Sequence, residues 1–307
     1  MTDEHTLNER PHARAYALLL LTMLFWSMNA VLSRIAVGQV SPMLLVSLRW
    51  LGSVLLILIF ARHHVFRDWP VLRRHLLLFG AMGALGFAAF NALFYTAAHY
   101  TTAVNIGIIQ GAMPVFVLIG AFAAYRTPVH GWQLAGVVLT ISGVVIVASG
   151  GSLERLLALS INKGDLLLII ATMLYAGYAV GLQRRPAVSS LSLFTILAAS
   201  AFLTSLPLVA AEYALGDLQW PTLTGWLVVG LITVFPSFLA QILFMNGVAL
   251  IGPGRAAIFG NLVPVFAPIL AVLILGESFK SYHALALALV LSGIWLAERV
   301  KRTRPSV

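Results

Sequence analysis

Polar side chains recur inside the first long apolar run of the chain. Thr22, Trp26, Asn29 and Ser33 are spaced four, three and four residues apart, which places them on one face of a helix. An unpaired polar group in hydrocarbon costs several kcal/mol, so such a face is expected to meet protein or water. Hydroxyls, an amide and an indole can hold a small molecule by hydrogen bonds and ring contacts, so the chemistry indicated is recognition.

A second polar stripe lies in the third apolar run, where Asn91, Tyr95 and His99 follow one another at four-residue spacing. Gln241 stands 150 positions after Asn91 and repeats its amide in the second half of the chain. Taken singly, such residues are expected to form interhelical hydrogen bonds worth about 1 kcal/mol or less. Taken together, they predict one shared cavity. The predicted substrate-binding set is Trp26, Asn29, Asn91, Tyr95, Gln110, Tyr175, Tyr178, Gln241 and Asn261.

Two prolines stand at equivalent places in the fourth and ninth runs. Pro114 and Pro264 each lack an amide donor, so the carbonyls of Gln110 and Gly260 lose their helical partners. Irregular backbone at membrane depth is tolerated where it faces protein or a water-filled cavity. We therefore expect Pro114 and Pro264 to act as hinges beside the binding cavity, whereas Pro207, Pro236 and Pro268 are interpreted as bends for packing.

Charged residues within the runs have two interpretations. Arg49 lies inside the second run, where it could bind a substrate carboxylate or clamp helix-end carbonyls, and the clamp is favoured. Arg34 and Arg184 stand at run ends and are expected to anchor in the headgroups. The acidic residues all fall at or outside run ends, which disfavours carboxylate-based proton antiport. His99 is then the candidate proton-coupling group, and movement down a gradient is the working hypothesis.

Motifs of enzymes are missing from the sequence. It contains no HExxH or GxSxG, and Gly252-Pro253-Gly254 lacks the Lys-Ser/Thr that a phosphate-binding loop requires. Cysteine is absent, which removes thiolate metal sites and a cysteine nucleophile. We expect no catalytic residues, no metal and no cofactor.

The elements that must position these residues are ten apolar runs, each near the length of about 20 residues that crosses a bilayer. A single offset of 150 residues aligns Thr22-Met23-Leu24 with Thr172-Met173-Leu174 and Pro114 with Pro264. Each half holds five runs, and because five is odd the second half must be inverted. The runs are 15–37, 42–61, 76–98, 102–124, 132–149, 165–183, 191–211, 225–247, 254–275 and 282–298. The predicted fold is an all-α integral membrane protein with ten transmembrane helices in an inverted five-plus-five repeat.

The predicted regions are a cytoplasmic tail (1–14), a first repeat (15–149), an extracytoplasmic linker (150–164), a second repeat (165–298) and a tail (299–307). The chain is 60% hydrophobic and 9% charged, against roughly 25% charged for a soluble domain. Most basic residues outside the runs fall on one side, which places both termini in the cytoplasm. This distribution accounts for the formal charge of +9, so nucleic-acid binding is not indicated.

Several stretches resemble the EamA branch of the drug/metabolite transporter superfamily over essentially the whole chain. They are Gly254-Arg255-Ala256, Asn261 to Pro268 and Leu275-Gly276-Glu277 in and after the ninth run, Phe25-Trp26-Ser27, where the family has glycine in place of serine, and Pro42 with Arg49. The resemblance implies ten helices, a central cavity and export of metabolites across the bacterial inner membrane. Glu277 belongs to the family motif and is expected to stabilise structure.

More narrowly, the sequence resembles the bacterial aromatic amino-acid exporters of that family. This implies export of aromatic and other bulky neutral amino acids by alternating access, with a small-molecule substrate and the lipid bilayer as partners and a functional monomer. Three alternatives stay open: export of cationic drugs or another metabolite, a channel, and a membrane receptor that transports nothing.

Overall fold

The computed structural model describes residues 4–126, 128–158, 162–182 and 186–299. All regular secondary structure in these residues is helical, which confirms the predicted all-α class. The α-helices are α1 (Glu4–Ala36), α2 (Pro42–Leu72), α3 (Leu76–Gly83), α4 (Phe90–Ala97), α5 (Ala103–Gln110), α6 (Met113–Tyr125), α7 (Gly131–Ala148), α8 (Leu153–Leu157), α9 (Lys163–Gly181), α10 (Ser190–Ala214), α11 (Leu223–Ile232), α12 (Ala240–Ile251), α13 (Pro253–Phe259), α14 (Val263–Leu275) and α15 (Ser281–Arg299).

Eight helical segments among the described residues are long and apolar enough to cross a membrane. Two further apolar helices, Gly260–Leu275 and Ser281–Ala297, are shorter. They correspond to the predicted ninth and tenth runs, so a total of ten crossings remains a prediction. The chain is a multi-pass membrane protein.

The two halves of the chain repeat their irregular backbone. Ala84–Ala89 joins α3 to α4 as a π-helix, and Thr233–Leu239 joins α11 to α12 in the same way. The segment between α5 and α6 is a turn, and its counterpart Gly260–Leu262 is a 3-10 turn. α6 and α14 both end on a left-handed residue, Arg126 with φ 53° and Gly276 with φ 65°. The duplication is therefore visible in backbone conformation as well as in sequence.

Equivalent helices of the two halves pack against each other in opposite directions. In the α7–α15 pair, Gly136 lies against Gly293 and Ala297, whereas Gly143 lies against Ala286. A Cβ at Gly136 would come within 2.5 Å of the Gly293 carbonyl oxygen, so the contact requires glycine. The contacting residue numbers on α15 fall as those on α7 rise, so the two helices are antiparallel. Helices at equivalent positions of the two halves can be antiparallel only if the second half is inverted relative to the first.

The α2–α10 pair leads to the same conclusion. Ser41, at the start of α2, bonds to Glu212 near the end of α10, and Asp68, near the end of α2, bonds to Ser189 at the start of α10. The halves thus run in opposite senses, as the odd number of predicted runs in each half requires.

Candidate transport site

A buried guanidinium joins three helices. Arg49 on α2 is 6% exposed, and its Nη1 donates to Asn91 Oδ1 on α4 at 2.7 Å and also to the Tyr95 hydroxyl. The Tyr95 hydroxyl donates in turn to Asn29 Oδ1 on α1 at 3.0 Å. These four residues, the Arg49 cluster, bring together three members of the predicted binding set.

Local structure accounts for the position of this cluster. Arg49 lies seven residues into α2, or about 10 Å along the helix axis. Asn91 lies two residues after the end of the first π-helix, and its Nδ2 donates to the Phe87 carbonyl within that π-helix at 2.7 Å. One amide therefore satisfies a carbonyl of the widened turn and receives the Arg49 hydrogen bond. The described bonds of the guanidinium run to side chains, in contrast to the favoured expectation of helix-end carbonyls.

Aromatic rings form a continuous chain beside the Arg49 cluster. Trp50 stacks on Phe87 with centroids 4.8 Å apart and an interplanar angle of 17°. Phe87 meets Tyr178 at 5.1 Å, Tyr178 meets Tyr175 at 5.2 Å, and Tyr175 meets Phe90 at 5.2 Å. We call these five residues the aromatic cluster. The predicted Tyr175 and Tyr178 thus reach the Arg49 cluster through Trp50, a residue that sequence reasoning missed.

Trp26 and Gln241 lie on a different pair of helices. Trp26 packs on Phe244 of α12 with ring centroids 5.3 Å apart, and it precedes Asn29 by one turn of α1. Gln241 is half-buried one turn before Phe244 on α12. Trp26 therefore contacts the helix that carries Gln241 and lies one turn before Asn29, a member of the Arg49 cluster.

Gln110 and Asn261 occupy the two broken helices. Gln110 is the last residue of α5, and its Oε1 is buried without a hydrogen-bond partner in the described part of the chain. Asn261 lies half-buried in the 3-10 turn before α14. A Cβ on Gly111 would lie 2.9 Å from Pro264 Cβ, so the first break packs against the proline of the second. The hinge role of Pro114 and Pro264 remains a prediction.

A polar network links several helices at one end of the bundle, which we call the Glu277 end. The Glu277 carboxylate accepts from the backbone N–H groups of Ala103 at 2.9 Å and Val104 at 3.0 Å, as its expected structural role implies. Arg34 Nε lies 3.8 Å from Glu277 Oε1, and Arg34 Nη1 donates to the Ala98 carbonyl. Arg34 therefore holds protein segments together, contrary to the expected anchor in the headgroups, and Arg184 lies outside the described residues.

The same end contains an acidic residue that sequence reasoning undervalued. Asp165 is 1% exposed and accepts hydrogen bonds from Thr101 and from Asn105 Nδ2 at 3.2 Å. Asn105 Oδ1 lies 3.1 Å from His283 Nε2 on α15. Asp165 stands near the start of α9, where an acidic residue ordinarily indicates a solvated cap, so its burial was not foreseeable from position alone.

His99, the candidate proton-coupling group, lies in the turn after α4. It lines a cavity of about 490 Å³ at the Glu277 end together with Arg34, Asp165 and Tyr282. Burial, and then the nearby Arg34 guanidinium, lower the pKa of His99 below its ordinary value. The imidazole is therefore neutral at neutral pH and takes up a proton only in more acidic solution.

The chain matches the EamA-like transporter family at residues 13–149 and again at 162–298. It is 27% identical over 299 residues to the uncharacterized transporter YyaM of Bacillus subtilis, covering 95% of each chain. It is 24% identical over 296 residues to the uncharacterized inner membrane transporter YedA of Escherichia coli K12, covering 95% of this chain and 92% of that protein. A probable amino-acid metabolite efflux pump of Escherichia coli K12 is 25% identical over 306 residues, with 91% and 93% covered.

A solved crystal structure has the same fold. It superposes with a TM-score of 0.62 at 19% identity and covers 96% of this chain and 99% of its own. Two matched halves, an inverted helical repeat and full-length relatives that are transporters lead to one conclusion. The chain belongs to the EamA-like transporter family and is a membrane transporter.

Proposed function

We propose that this transporter exports aromatic and other bulky neutral amino acids across the bacterial inner membrane. The observation that carries the proposal is the contact between a buried polar cluster and a chain of aromatic rings, where Arg49 and Trp50 are neighbours in sequence. An amino acid of this class has the same two parts, a polar head and an apolar or aromatic side chain.

Each part of the cargo would meet matching chemistry. The amides of Asn29, Asn91, Gln110, Gln241 and Asn261 would hydrogen-bond the head group, while Trp26, Tyr95, Tyr175 and Tyr178 would offer ring faces. Aromatic pairs contribute about 0.5–1.5 kcal/mol beyond the area they bury, enough to favour a ring over an aliphatic chain. The relative described as an amino-acid metabolite efflux pump supports this class of cargo, and the other relatives are uncharacterized.

Transport would proceed by alternating access. In this proposal ten transmembrane helices form two inverted halves that rock about the site, with Pro114 and Pro264 permitting the bend and both termini in the cytoplasm. In this proposal the hydrogen bonds at the Glu277 end would hold that end closed, so the described state would be the one shut toward the outside. One chain, without nucleotide or metal, would carry out the whole cycle.

Counterflow of labelled phenylalanine in proteoliposomes tests the proposal, because a carrier shows trans-stimulation and a pore does not. Trp26→Ala should raise the half-saturating concentration about tenfold, the equivalent of about 1.4 kcal/mol. Trp132→Ala is the matched control, since Trp132 is 60% exposed on α7, and it should leave counterflow unchanged. Ethidium efflux that phenylalanine does not compete with would favour a cationic-drug exporter.

A pH gradient should drive no accumulation of phenylalanine in proteoliposomes. Accumulation that is abolished by His99→Gln would instead assign proton coupling to His99.

A further inference from the structure

The charge of Arg49 has no anionic partner in the described chain. A guanidinium stays protonated in proteins, and this one is 6% exposed. Its described hydrogen-bond acceptors, Asn91 and Tyr95, are both neutral. A buried charge that lacks a counter-charge is strongly unfavourable, so such a charge inside a membrane bundle indicates a function that uses it.

The carboxylates of the described residues that lie in or near the bundle are engaged elsewhere. Glu212 accepts from Ser41 and Leu44, Asp68 from Ser189, Glu277 from Ala103 and Asp165 from Thr101. These groups lie toward helix ends, where they accept bonds from other segments. None of them forms a described hydrogen bond or ion pair with Arg49.

Two neighbouring donors lack acceptors at the same place. Arg49 Nε and Trp50 Nε1 are buried and have no hydrogen-bond partner in the described chain. The guanidinium carbon lies 4.8 Å from the centroid of the Trp50 ring, so both donors belong to one small region. A water molecule could accept from either donor but would not neutralise the charge. A carboxylate could accept from both donors and also balance the positive charge.

The charge also breaks the internal repeat. The position 150 residues after Arg49 is Ala199, whereas Asn91 is matched by the amide of Gln241 and Pro114 by Pro264. A guanidinium that served the scaffold of each half would be expected twice. Arg49 occurs in one half alone, as a binding group at a single site would.

We propose that Arg49 and Trp50 form the carboxylate-binding subsite, so that a cargo must carry a carboxylate next to its apolar or aromatic body. The inference rests on the proposed function and deepens it by naming the group that the site requires. The carboxylate would accept from Arg49 Nε and Trp50 Nε1 while Nη1 keeps its bonds to Asn91 and Tyr95. It would enter when the two halves separate, since Arg49 is buried in the described state.

Competition against phenylalanine counterflow separates the functional groups of the cargo. Phenylpropionate has the ring and the carboxylate but no amine, and it should compete with the wild-type protein. Phenethylamine and phenylalanine amide keep the ring and the amine but lack the carboxylate, so they should compete at least tenfold more weakly. Equal competition by the acid and the amine would overturn the proposal.

Variants then assign the preference to the subsite. Arg49→Gln should raise the half-saturating phenylalanine concentration more than tenfold and abolish the preference for phenylpropionate over phenethylamine. Arg49→Lys keeps the charge without the planar fork and should fall between the two. Trp50→Phe keeps a ring and removes Nε1, so it should weaken the preference severalfold. As a control, Arg14→Gln removes an exposed arginine from the N-terminal part of α1. It should leave the half-saturating phenylalanine concentration and the preference for phenylpropionate unchanged.

A purely structural Arg49 would reduce transport of all cargoes alike, so a retained carboxylate preference in Arg49→Gln would overturn the inference. Thermal melting of the purified protein distinguishes this failure from that of the proposed function. If wild type shows no phenylalanine counterflow, but phenylpropionate raises its melting temperature and not that of Arg49→Gln, the amino-acid proposal fails and the subsite stands. If no carboxylate raises the wild-type melting temperature, the subsite is wrong.

Discussion

At the scale of residues, the site depends on one hydroxyl that serves two partners. The Tyr95 hydroxyl accepts from Arg49 and donates to Asn29, and the Tyr95 side chain is 2% exposed. The polar stripes predicted from the sequence already placed Asn91 with Tyr95, four residues apart, and Trp26 with Asn29, three residues apart. The rotation of α2 relative to α1 and α4 brings Arg49 to the same point, and no local sequence pattern encodes that rotation.

Tyr95→Phe should lower both stability and affinity. The change removes one acceptor and one donor from buried partners, which costs about 1–3 kcal/mol when a buried group is left unsatisfied. Tyr213→Phe is the matched control because Tyr213 is 72% exposed near the end of α10. Thermal melting in detergent and phenylalanine counterflow should both be impaired in Tyr95→Phe and unchanged in Tyr213→Phe. Equal melting temperatures for the two variants would show that the Tyr95 hydroxyl does not stabilise the folded protein.

At the scale of elements, hydropathy indicated where helices lie better than where they end or break. The predicted run 132–149 matches Gly131–Ala148 to within one residue at each end, but the run 42–61 continues as helix to Leu72. Hydropathy reports the apolar layer, whereas i→i−4 bonds continue into a polar stretch that contains Arg67 and Asp68. The single run 102–124 is divided at Gly111, close to the break that Pro114 predicted.

The π-helices were not predicted, although one of them contains Pro236, which was interpreted as a packing bend. A proline lacks the N–H that an α-helical turn would use, and Ser237 Oγ donates to the Ile232 carbonyl at 2.7 Å. In the first half, Asn91 plays the same part for the Phe87 carbonyl. Different residues thus stabilise the same widened turn, so sequence identity between the halves does not reveal it.

Carboxylates also join elements of opposite halves. Glu212 on α10 accepts from the Ser41 hydroxyl at 2.7 Å and from the N–H groups of Met43 and Leu44 at 3.2 Å, all at the start of α2. A negative charge is favourable there because the first N–H groups of a helix have no helical acceptor. The sequence placed Glu212 near a helix end but could not identify a partner about 170 residues away.

Glu212→Gln should therefore destabilise the protein. Glutamine keeps one acceptor oxygen and introduces an amide donor that faces the N–H groups of α2, so we expect a loss of about 1–2 kcal/mol, the scale of a lost helix cap. Glu154→Gln provides the comparison, since Glu154 is exposed at the same end of the molecule. Thermal melting of the two purified variants should differ by several degrees, and coincident curves would contradict the assigned role.

At the scale of the whole molecule, antiparallel pairing fixes the halves relative to each other but leaves open which end faces the cytoplasm. The absence of cysteine makes orientation directly measurable, because each introduced cysteine is the sole thiol. Glu154→Cys should react with a membrane-impermeant maleimide in intact cells, and His130→Cys only after permeabilisation. Both residues are exposed. The reverse labelling pattern would contradict the orientation inferred from the basic residues.

The Glu277 end should open once in every transport cycle. Thr101 in the turn before α5 bonds to Asp165 on α9, so this contact joins the first half of the chain to the second. In the proposed alternating-access cycle, α9 and the start of α5 belong to halves that separate when this end opens, so a covalent link between them should hold the transporter shut. Thr101→Cys with Asp165→Cys, joined by a short bismaleimide, should abolish counterflow of phenylalanine.

Each single cysteine variant, treated with the same reagent, controls for the loss of the Thr101–Asp165 hydrogen bond and for alkylation itself. Replacing the bismaleimide by a cleavable disulfide-forming reagent should inhibit the double variant and allow recovery when reductant is added. In the proposed cycle, substrate passes only if this end opens. Full counterflow in the quantitatively cross-linked double variant would therefore show that substrate passes by a route that leaves α5 and α9 together.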